Sequence, residues 1–315
     1  DDYRKFISGC KTERECVAEM VKRAEKAGFK NLDAVVNAGT ELKAGDKVYA
    51  DNMGKALALF LIGEEPIEKG MRILGAHVDS PRLDLKQNPL YEEAEQALLD
   101  THYYGGVKKY QWVTLPLALH GVVIKKDGTT IEISIGEKET DPVVGVTDLL
   151  IHLSAQQLEK KAKVVIEGED LNVLIGSRPA KGEEKDAVKR EMLGILKEEY
   201  GIEEEDFLSA EIEVVPAGPA RDFGLDRSMI MSYGQDDRVC AYTALTAEID
   251  AKKPVHTTVT ILADKEEIGS AGNTGLNSDF VLHYIEDLAE QAGVRPREVM
   301  RKSLCLSSDV NAAFD

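Results

Sequence analysis

The fold is decided by one stretch, Arg72-Ile-Leu-Gly-Ala-His77-Val-Asp79-Ser-Pro81-Arg-Leu-Asp84, in which an apolar run ends in a histidine and a carboxylate. Ile73 and Leu74 are typical of a buried strand, and the Ser-Pro pair ends that strand just beyond the histidine. We therefore expect His77 at the carboxyl end of a strand, where open α/β sheets bind ligands. On an extended chain His77 and Asp79 point to the same side, so Asp79 can hydrogen-bond the ring nitrogen that a metal leaves free.

Composition excludes several classes of protein. The 315 residues carry a formal net charge of −18 without a cluster of Lys and Arg, so nucleic acid and anionic membrane surfaces are not expected partners. No apolar run approaches the length of a membrane span, and the four cysteines show no metal-ligand spacing. These features predict a cytoplasmic protein with reduced thiols. Because the first residue is not methionine and the last lies in an apparent loop, we expect further sequence at both ends.

The pattern of elements changes twice along the chain. Thr12 and Glu15 predict a capping box on an N-terminal helix. The middle is β-rich, with a hairpin at Asp127-Gly128. Its other predicted elements are helices at 148–160 and 183–200 and strands at 164–167 and 173–175. An α/β pattern returns from Ser232, and its predicted elements are helices at 239–249 and from Ser278 to residue 293, and strands at 257–262 and 303–306.

Acidic residues occur where three further segments end or begin: Asp236, the doublet Glu266-Glu267, and Asp309. Gathering carboxylates beside a histidine is costly unless cations or protons neutralise them, so their convergence would imply a metal. Such ligands suit zinc, manganese or cobalt better than calcium. Taken singly, each residue also has an ordinary interpretation: a core histidine, a helix cap, an exposed pair and a turn residue.

Four motifs occur in an order that strongly resembles the aspartyl aminopeptidase family of dinuclear zinc peptidases, in its bacterial form. They are Gly75-Ala-His77-Val-Asp79-Ser-Pro81-Arg-Leu, Gln235-Asp236-Asp237-Arg238, Asp264-Lys265-Glu266-Glu267-Ile268-Gly269-Ser270 and Ser307-Ser308-Asp309-Val310-Asn311. The resemblance implies an α/β fold, a mixed-sheet zinc-peptidase catalytic domain interrupted by a β-rich dimerisation domain. The composition changes then place the catalytic domain at 1–88 and 232–315 and the inserted domain at 89–231.

The resemblance also assigns roles around two divalent metal ions, zinc first and cobalt or manganese as alternatives. They are His77 and Asp309 on one metal, Glu267 on the other, Asp236 bridging, Glu266 as general base, Asp79 orienting His77, and His152 reaching a neighbouring subunit's substrate. The family's remaining ligand, a histidine, is expected beyond residue 315, because no histidine follows His283.

The resemblance implies a metal-dependent aminopeptidase that removes one N-terminal residue from peptides, with preference for Asp or Glu. It also implies homodimers that assemble into a dodecamer. Asp237 and Asn311 stand where some members have Asn and His, which leaves the residue preference open. The alternatives are a broad-specificity aminopeptidase, a related metallohydrolase of another amide, and, in a different class, a catalytically silent peptide-binding or shell subunit.

Overall fold

The computed structural model describes residues 1–313, which form two compact units. The first consists of Asp1–Ser80 and the described residues from Ala220 onward, and the second is Pro81–Pro219. These divisions lie earlier than the composition changes after residues 88 and 231. The reason is that the strand beginning at Arg82 pairs only within the second unit's sheet, and a small hairpin that follows Ala220 belongs to the first unit.

The strands are β1 (Lys30–Asn31), β2 (Lys47–Asn52), β3 (Ala56–Leu61), β4 (Arg72–His77), β5 (Arg82–Glu93), β6 (Gln96–Tyr104), β7 (Leu117–Ile124), β8 (Thr130–Ile135), β9 (Val173–Gly176), β10 (Ala210–Pro216), β11 (Arg221–Phe223), β12 (Met229–Met231), β13 (Thr258–Ala263) and β14 (Leu304–Ser307). The α-helices are α1 (Asp2–Gly9), α2 (Glu13–Lys26), α3 (Leu32–Asn37), α4 (Ala155–Leu158), α5 (Ala187–Tyr200), α6 (Gln235–Asp250), α7 (Phe280–Gln291) and α8 (Pro296–Lys302). None of the helices in the described part of the chain is both long and apolar enough to cross a membrane.

The first unit is built on a six-stranded mixed sheet in the order β1-β2-β3-β13-β4-β14. Both neighbours of β4 run parallel to it, with Ala263 opposite His77 and Ser307 opposite Gly75. The carboxyl ends of three adjacent strands therefore meet at one edge of this sheet, as open α/β sheets require for a ligand site.

Helices cover both faces of this sheet because its central strand is apolar on both sides. In β3, Leu57 and Leu59 pack into one buried cluster with residues of α1, α2 and α6. Ala58 and Phe60 point the other way, into a second cluster with residues of α3, α7 and α8. Alternate side chains of a strand face opposite sides, so a strand of this composition predicts helices on each side. The predicted α/β class with a mixed sheet is confirmed.

The second unit contains a separate six-stranded sheet in the order β8-β7-β10-β5-β6-β9, in which every recorded pairing is antiparallel. The β7–β8 hairpin turns at the predicted Asp127-Gly128. Helix α5 packs on β5, β6 and β9. The unit is thus rich in β-structure, as the change in composition indicates.

Three local predictions are wrong. Residues 148–160 form only a 3₁₀ turn, Ile151–Leu153, and the single turn of α4, since their apolar side chains are exposed and no packing stabilises a longer helix. Residues 164–167 do not form a strand, because Val164 ends the 3₁₀ turn Ala162–Val164 and residues 165–167 connect it to the next turn, Gly168–Asp170. Ser278 does not cap α7, because its hydroxyl donates to the Gly275 carbonyl. The capping box of Thr12 and Glu15 is confirmed.

Candidate metal centre

The predicted metal-site residues of the first unit lie at one edge of its sheet. His77 is the last residue of β4, and the glutamate doublet opens a 3₁₀ turn, Glu266–Ile268, that follows β13. Asp309 comes two residues after β14, and Asp236 lies in the first turn of α6. Three possible ligand atoms, one from each of His77, Asp236 and Asp309, lie within 4.8 Å of one another.

His77 is buried and presents only one of its ring nitrogens to this cluster. Its Nδ1 lies 3.0 Å from the backbone oxygen of Asp79 and 3.2 Å from Oδ1 of the same residue. Two acceptors at Nδ1 favour a proton there, so Nε2, which faces the carboxylates, is the nitrogen that a metal can bind when it displaces the second proton of the ring. Nε2 lies 3.4 Å from Oδ1 of Asp236 and 3.5 Å from Oε2 of Glu266. This orientation is the one that a histidine ligand needs.

Asp79 also holds the glutamate turn. Its two carboxylate oxygens accept hydrogen bonds from the backbone N–H groups of Glu266 and Glu267, each at 3.2 Å. The Asp79 side chain is completely buried, so these bonds and the contact with His77 compensate for its loss of hydration. One carboxylate therefore couples the end of β4 to the turn after β13.

Burial and the charges around the cluster shift the pKa values of four residues there. Burial, aided by the negative charge of Asp236, raises the pKa of Glu267 to about 7. Burial raises the pKa of Asp237 to about 6 and, together with the charge of Asp309, raises the pKa of Asp236. Burial alone would lower the pKa of His77, but the hydrogen bond to Asp79 and the surrounding carboxylates outweigh it and raise the pKa to about 9. Without a cation, protons therefore relieve the repulsion.

The donor set fits a divalent transition metal. It offers one imidazole nitrogen and two carboxylates within a few ångströms, with a third carboxylate, Glu266, beside the nitrogen. Glu267 follows Glu266 in the turn held by Asp79, and the charge of Asp236 adds to the burial that raises its pKa. Mixed nitrogen and oxygen ligation of this kind suits zinc, manganese or cobalt. A divalent cation would replace the protons that otherwise neutralise the cluster.

The structure adds residues that sequence reasoning did not single out. The hydroxyl of Ser80 donates to the backbone carbonyl of Asp236 at 2.6 Å. Asp237 is fully buried, and its Oδ2 accepts the backbone N–H of His77 at 3.3 Å. The peptide bond between Asp236 and Asp237 is cis. One signal was present: Arg238 occupies a helix position in line with Ala241 and Leu245, where an apolar side chain would be expected, and all three are buried.

His152, the remaining predicted site residue, belongs to the second unit. It is exposed in the 3₁₀ turn Ile151–Leu153. Leu150, Ile151 and Leu153 beside it are each more than half exposed. Its assignment to a neighbouring subunit's substrate stays a prediction.

Known proteins resemble this chain in both sequence and fold. The profile of the M18 family, described as aminopeptidase I zinc metalloproteases, matches residues 6–315. A curated relative from Clostridium acetobutylicum, named "Probable M18 family aminopeptidase 1", is 59% identical over 320 residues, which are 100% of this chain and 69% of that protein. The crystal structure of an M18 aminopeptidase from Thermotoga maritima superimposes with a TM-score of 0.94 at 45% identity, covering 100% of this chain and 69% of that one.

A more distant structure, the mApe1 dodecamer of Saccharomyces cerevisiae, has a TM-score of 0.76 at 21% identity and covers 100% of this chain and 72% of that one. That likeness concerns the fold alone. The family profile and the Clostridium relative show more than the fold, because the profile matches nearly the whole chain and the relative matches all of it. Together they establish that the chain belongs to the M18 family of aminopeptidase I zinc metalloproteases.

Proposed function

We propose that this chain carries the catalytic centre of a metal-dependent aminopeptidase that releases the N-terminal residue of peptides. The observation that carries the proposal is the convergence of His77, Asp236 and Asp309 within 4.8 Å, at the edge where the glutamate turn also lies. Membership in a family of zinc metalloproteases supports zinc as the metal. When bound there, zinc polarises a carbonyl and lowers the pKa of a coordinated water towards ~7.

We propose two ions with distinct ligands. His77 and Asp309 would hold one ion, Glu267 would hold the other, and Asp236 would supply a ligand to both. The approach of one ligand atom of Asp236 and one of Asp309 to within 4.8 Å supports a shared site, and the charge of Asp309 adds to the burial that raises the pKa of Asp236. A further ligand from outside the described residues would complete the second site.

Glu266 is the proposed general base. Its side chain is about half exposed and its Oε2 lies beside Nε2 of His77, so the carboxylate borders the ligand cluster and remains open to water and substrate. It would accept a proton from the attacking water and pass it to the leaving amine. Asp79 holds the backbone of this glutamate through the N–H group of residue 266, which limits the positions the carboxylate can take.

We propose acidic N-terminal residues as the preferred substrates, because the motifs resemble those of aspartyl aminopeptidases. The described centre is itself rich in carboxylates, which would repel an acidic side chain. A cationic or hydrogen-bonding group is therefore needed close to the substrate side chain. His152 of a neighbouring subunit is the proposed group.

Self-association is supported by the exposed apolar surface of the second unit. Leu150, Ile151, Leu153 and Leu158 lie within nine consecutive residues and are each 58% to 68% exposed. Apolar groups clustered in this way mark contact surfaces more often than free ones. We propose that this segment forms part of a homodimer contact in a larger, dodecameric assembly, and that the protein acts in the cytoplasm.

The test is amino-acid release by the zinc- or cobalt-loaded full-length protein from short peptides that differ only at the first residue. Release led by Asp and Glu supports the acidic preference. Release led by Leu or Met keeps the mechanism and overturns the preference. Efficient cleavage of N-acetylated peptides would indicate a different amide substrate, and metal binding without any turnover would indicate a silent relative.

Glu266→Gln is the matched variant for the mechanism. It keeps the size and hydrogen bonding of the side chain but removes its basicity, so we expect zinc to bind while turnover falls by at least ~100-fold. Comparable turnover by wild type and variant would refute the assignment of the base.

A further inference from the structure

The end of β4 and the start of α6 are joined by hydrogen bonds between consecutive residues on each side. Oδ2 of Asp237 accepts the backbone N–H of His77 at 3.3 Å, and Nε of Arg238 donates to the carbonyl of Val78 at 2.9 Å. A third bond runs from the hydroxyl of Ser80 to the carbonyl of Asp236. The three contacts connect the segment that bears His77 to the segment that bears Asp236, both of them predicted ligands.

Arg238 is the least expected member of this connection. Its side chain is the largest of the fully buried side chains in the described chain. Burying a guanidinium is costly unless its donors and charge are satisfied. The ring of Tyr233 lies 5.3 Å from the guanidinium carbon and supplies a favourable cation–π contact. The Nε–H group donates its hydrogen bond to the carbonyl of Val78, the residue between His77 and Asp79 in the chain.

Gly234 leaves the space that this guanidinium occupies. Its φ is +77°, which favours glycine, and a Cβ placed on it would lie 2.2 Å from Nη1 of Arg238. Any other residue at position 234 would therefore have to displace the arginine or shift the start of α6. The glycine and the arginine lie on either side of the Asp236-Asp237 step, with only Gln235 between the glycine and Asp236.

We propose that Arg238 is a positioning residue of the metal centre, whose buried guanidinium sets the separation between His77 and Asp236. The proposal rests on the proposed metal-dependent function. Arg238 lies beside the ligands without being one, and it acts by holding the Val78 carbonyl. Lysine cannot replace it, because a lysine side chain has no donor at the Nε position and no planar group to stack on Tyr233.

The test compares full-length wild type with Arg238→Lys and Gly234→Ala. The first keeps the charge but loses the Nε donor, and the second leaves the arginine intact but crowds it. Glu248→Gln, at the far end of α6, is the control for general damage to the helix. Zinc affinity is measured by competition with a chromophoric chelator, cobalt coordination by visible absorption, and Tm with and without zinc.

We expect both test variants to keep the far-UV circular dichroism of wild type and to lose roughly 10- to 100-fold in zinc affinity, the range for residues that orient metal ligands. Their cobalt spectra should change, and the increase in Tm on adding zinc should shrink. Glu248→Gln should match wild type in zinc affinity and cobalt spectrum.

Wild-type zinc affinity in both variants would overturn the proposal. A lower Tm without zinc, combined with an undiminished increase on adding zinc, would overturn it as well, because the arginine would then stabilise only the core. Loss of the fold in both variants would also overturn the proposal, because the arginine would then be needed for folding rather than for positioning. If wild type itself bound no zinc, the proposed function would fail first, so the two failures can be distinguished.

Discussion

Asp79 lies between two strand ends and accepts hydrogen bonds from groups on both. Its contact with Nδ1 of His77 follows from the His-x-Asp spacing, and the structure places that contact at 3.2 Å. Its two bonds to the glutamate turn do not follow from any local pattern, because they join residues that are remote in the chain. This carboxylate should therefore influence both the histidine ligand and the glutamates.

Asp79→Asn tests this double role. An asparagine keeps the shape, but its amide nitrogen cannot accept a hydrogen bond, so one bond of the set is lost and the negative charge beside His77 disappears. We expect zinc affinity to fall by ~10- to 100-fold, measured by equilibrium dialysis. Asp250→Asn, an exposed change at the end of α6, should leave the affinity unaltered. An unchanged affinity in Asp79→Asn would show that neither contact matters for binding.

The sequence predicts which residues converge better than it predicts the contacts that hold them. His77, Asp236 and Asp309 could be selected because strand ends and turns are recognisable locally, and parallel strands bring their carboxyl ends together. Ser80, whose bond reaches across to α6, could not be selected, because such a contact depends on which elements become neighbours.

At the scale of elements, β3 is the best example of structure that composition determines. Its six residues are all buried, and five of them, residues 56–60, alternate between two clusters, so helices on both faces follow directly from the sequence. Residues 148–160 show the opposite case. Their apolar residues suggested a helix, but these side chains are exposed, and helical propensity without packing is too weak to extend a single turn.

Phe60→Ala should measure the strength of the cluster on the α7 side. Removal of a completely buried phenylalanine leaves a cavity, and we expect a loss of about 3–5 kcal/mol in the free energy of unfolding, together with a lower Tm by calorimetry. Val255→Ala, at a site 58% exposed, should change stability by less than about 0.5 kcal/mol. Equal effects of the two changes would contradict the assigned core.

Helix α6 carries a buried acid whose effect on stability depends on pH. Glu248 accepts hydrogen bonds from the hydroxyls of Thr258 and Thr260 at 2.8 and 3.1 Å, yet burial raises its pKa above the ordinary value of 4.5. A raised pKa in the folded state means that stability is fully present below the unfolded value and is lost as pH rises through the folded value.

Glu248→Gln removes this titration. The stability of the variant relative to wild type should therefore increase from pH 4 to pH 8, as measured by urea unfolding at a series of pH values. A difference between the two proteins that stays constant over this range, or that decreases, would show that the acid is not destabilised by burial.

At the scale of the whole molecule, the property to be explained is the proposed self-association of the chain. A net charge of −18 opposes the approach of like molecules, so a stable assembly needs an apolar contact large enough to outweigh it. The exposed apolar residues around His152 are the part of this contact proposed above.

The double change Ile151→Asp and Leu153→Asp should weaken assembly, because it would bury two charges in the proposed contact. We expect light scattering to report a smaller mass than for wild type. Leu208→Asp, at a leucine 59% exposed in the same unit, is the matched control and should keep the wild-type mass. An unchanged mass in the double variant would place the contact elsewhere.

The pairing of β14 with β4 also bears on biosynthesis. The hydrogen bond from Ser308 to the carbonyl of Gly75, and the parallel register before it, bring Asp309 to His77 only after nearly all of the described chain has emerged from the ribosome. Earlier in translation His77 and the glutamates lack this neighbour. With the ligands proposed above, zinc binding would therefore follow the synthesis of β14, and a nascent chain stalled before that strand would lack the ion expected to stabilise the folded protein.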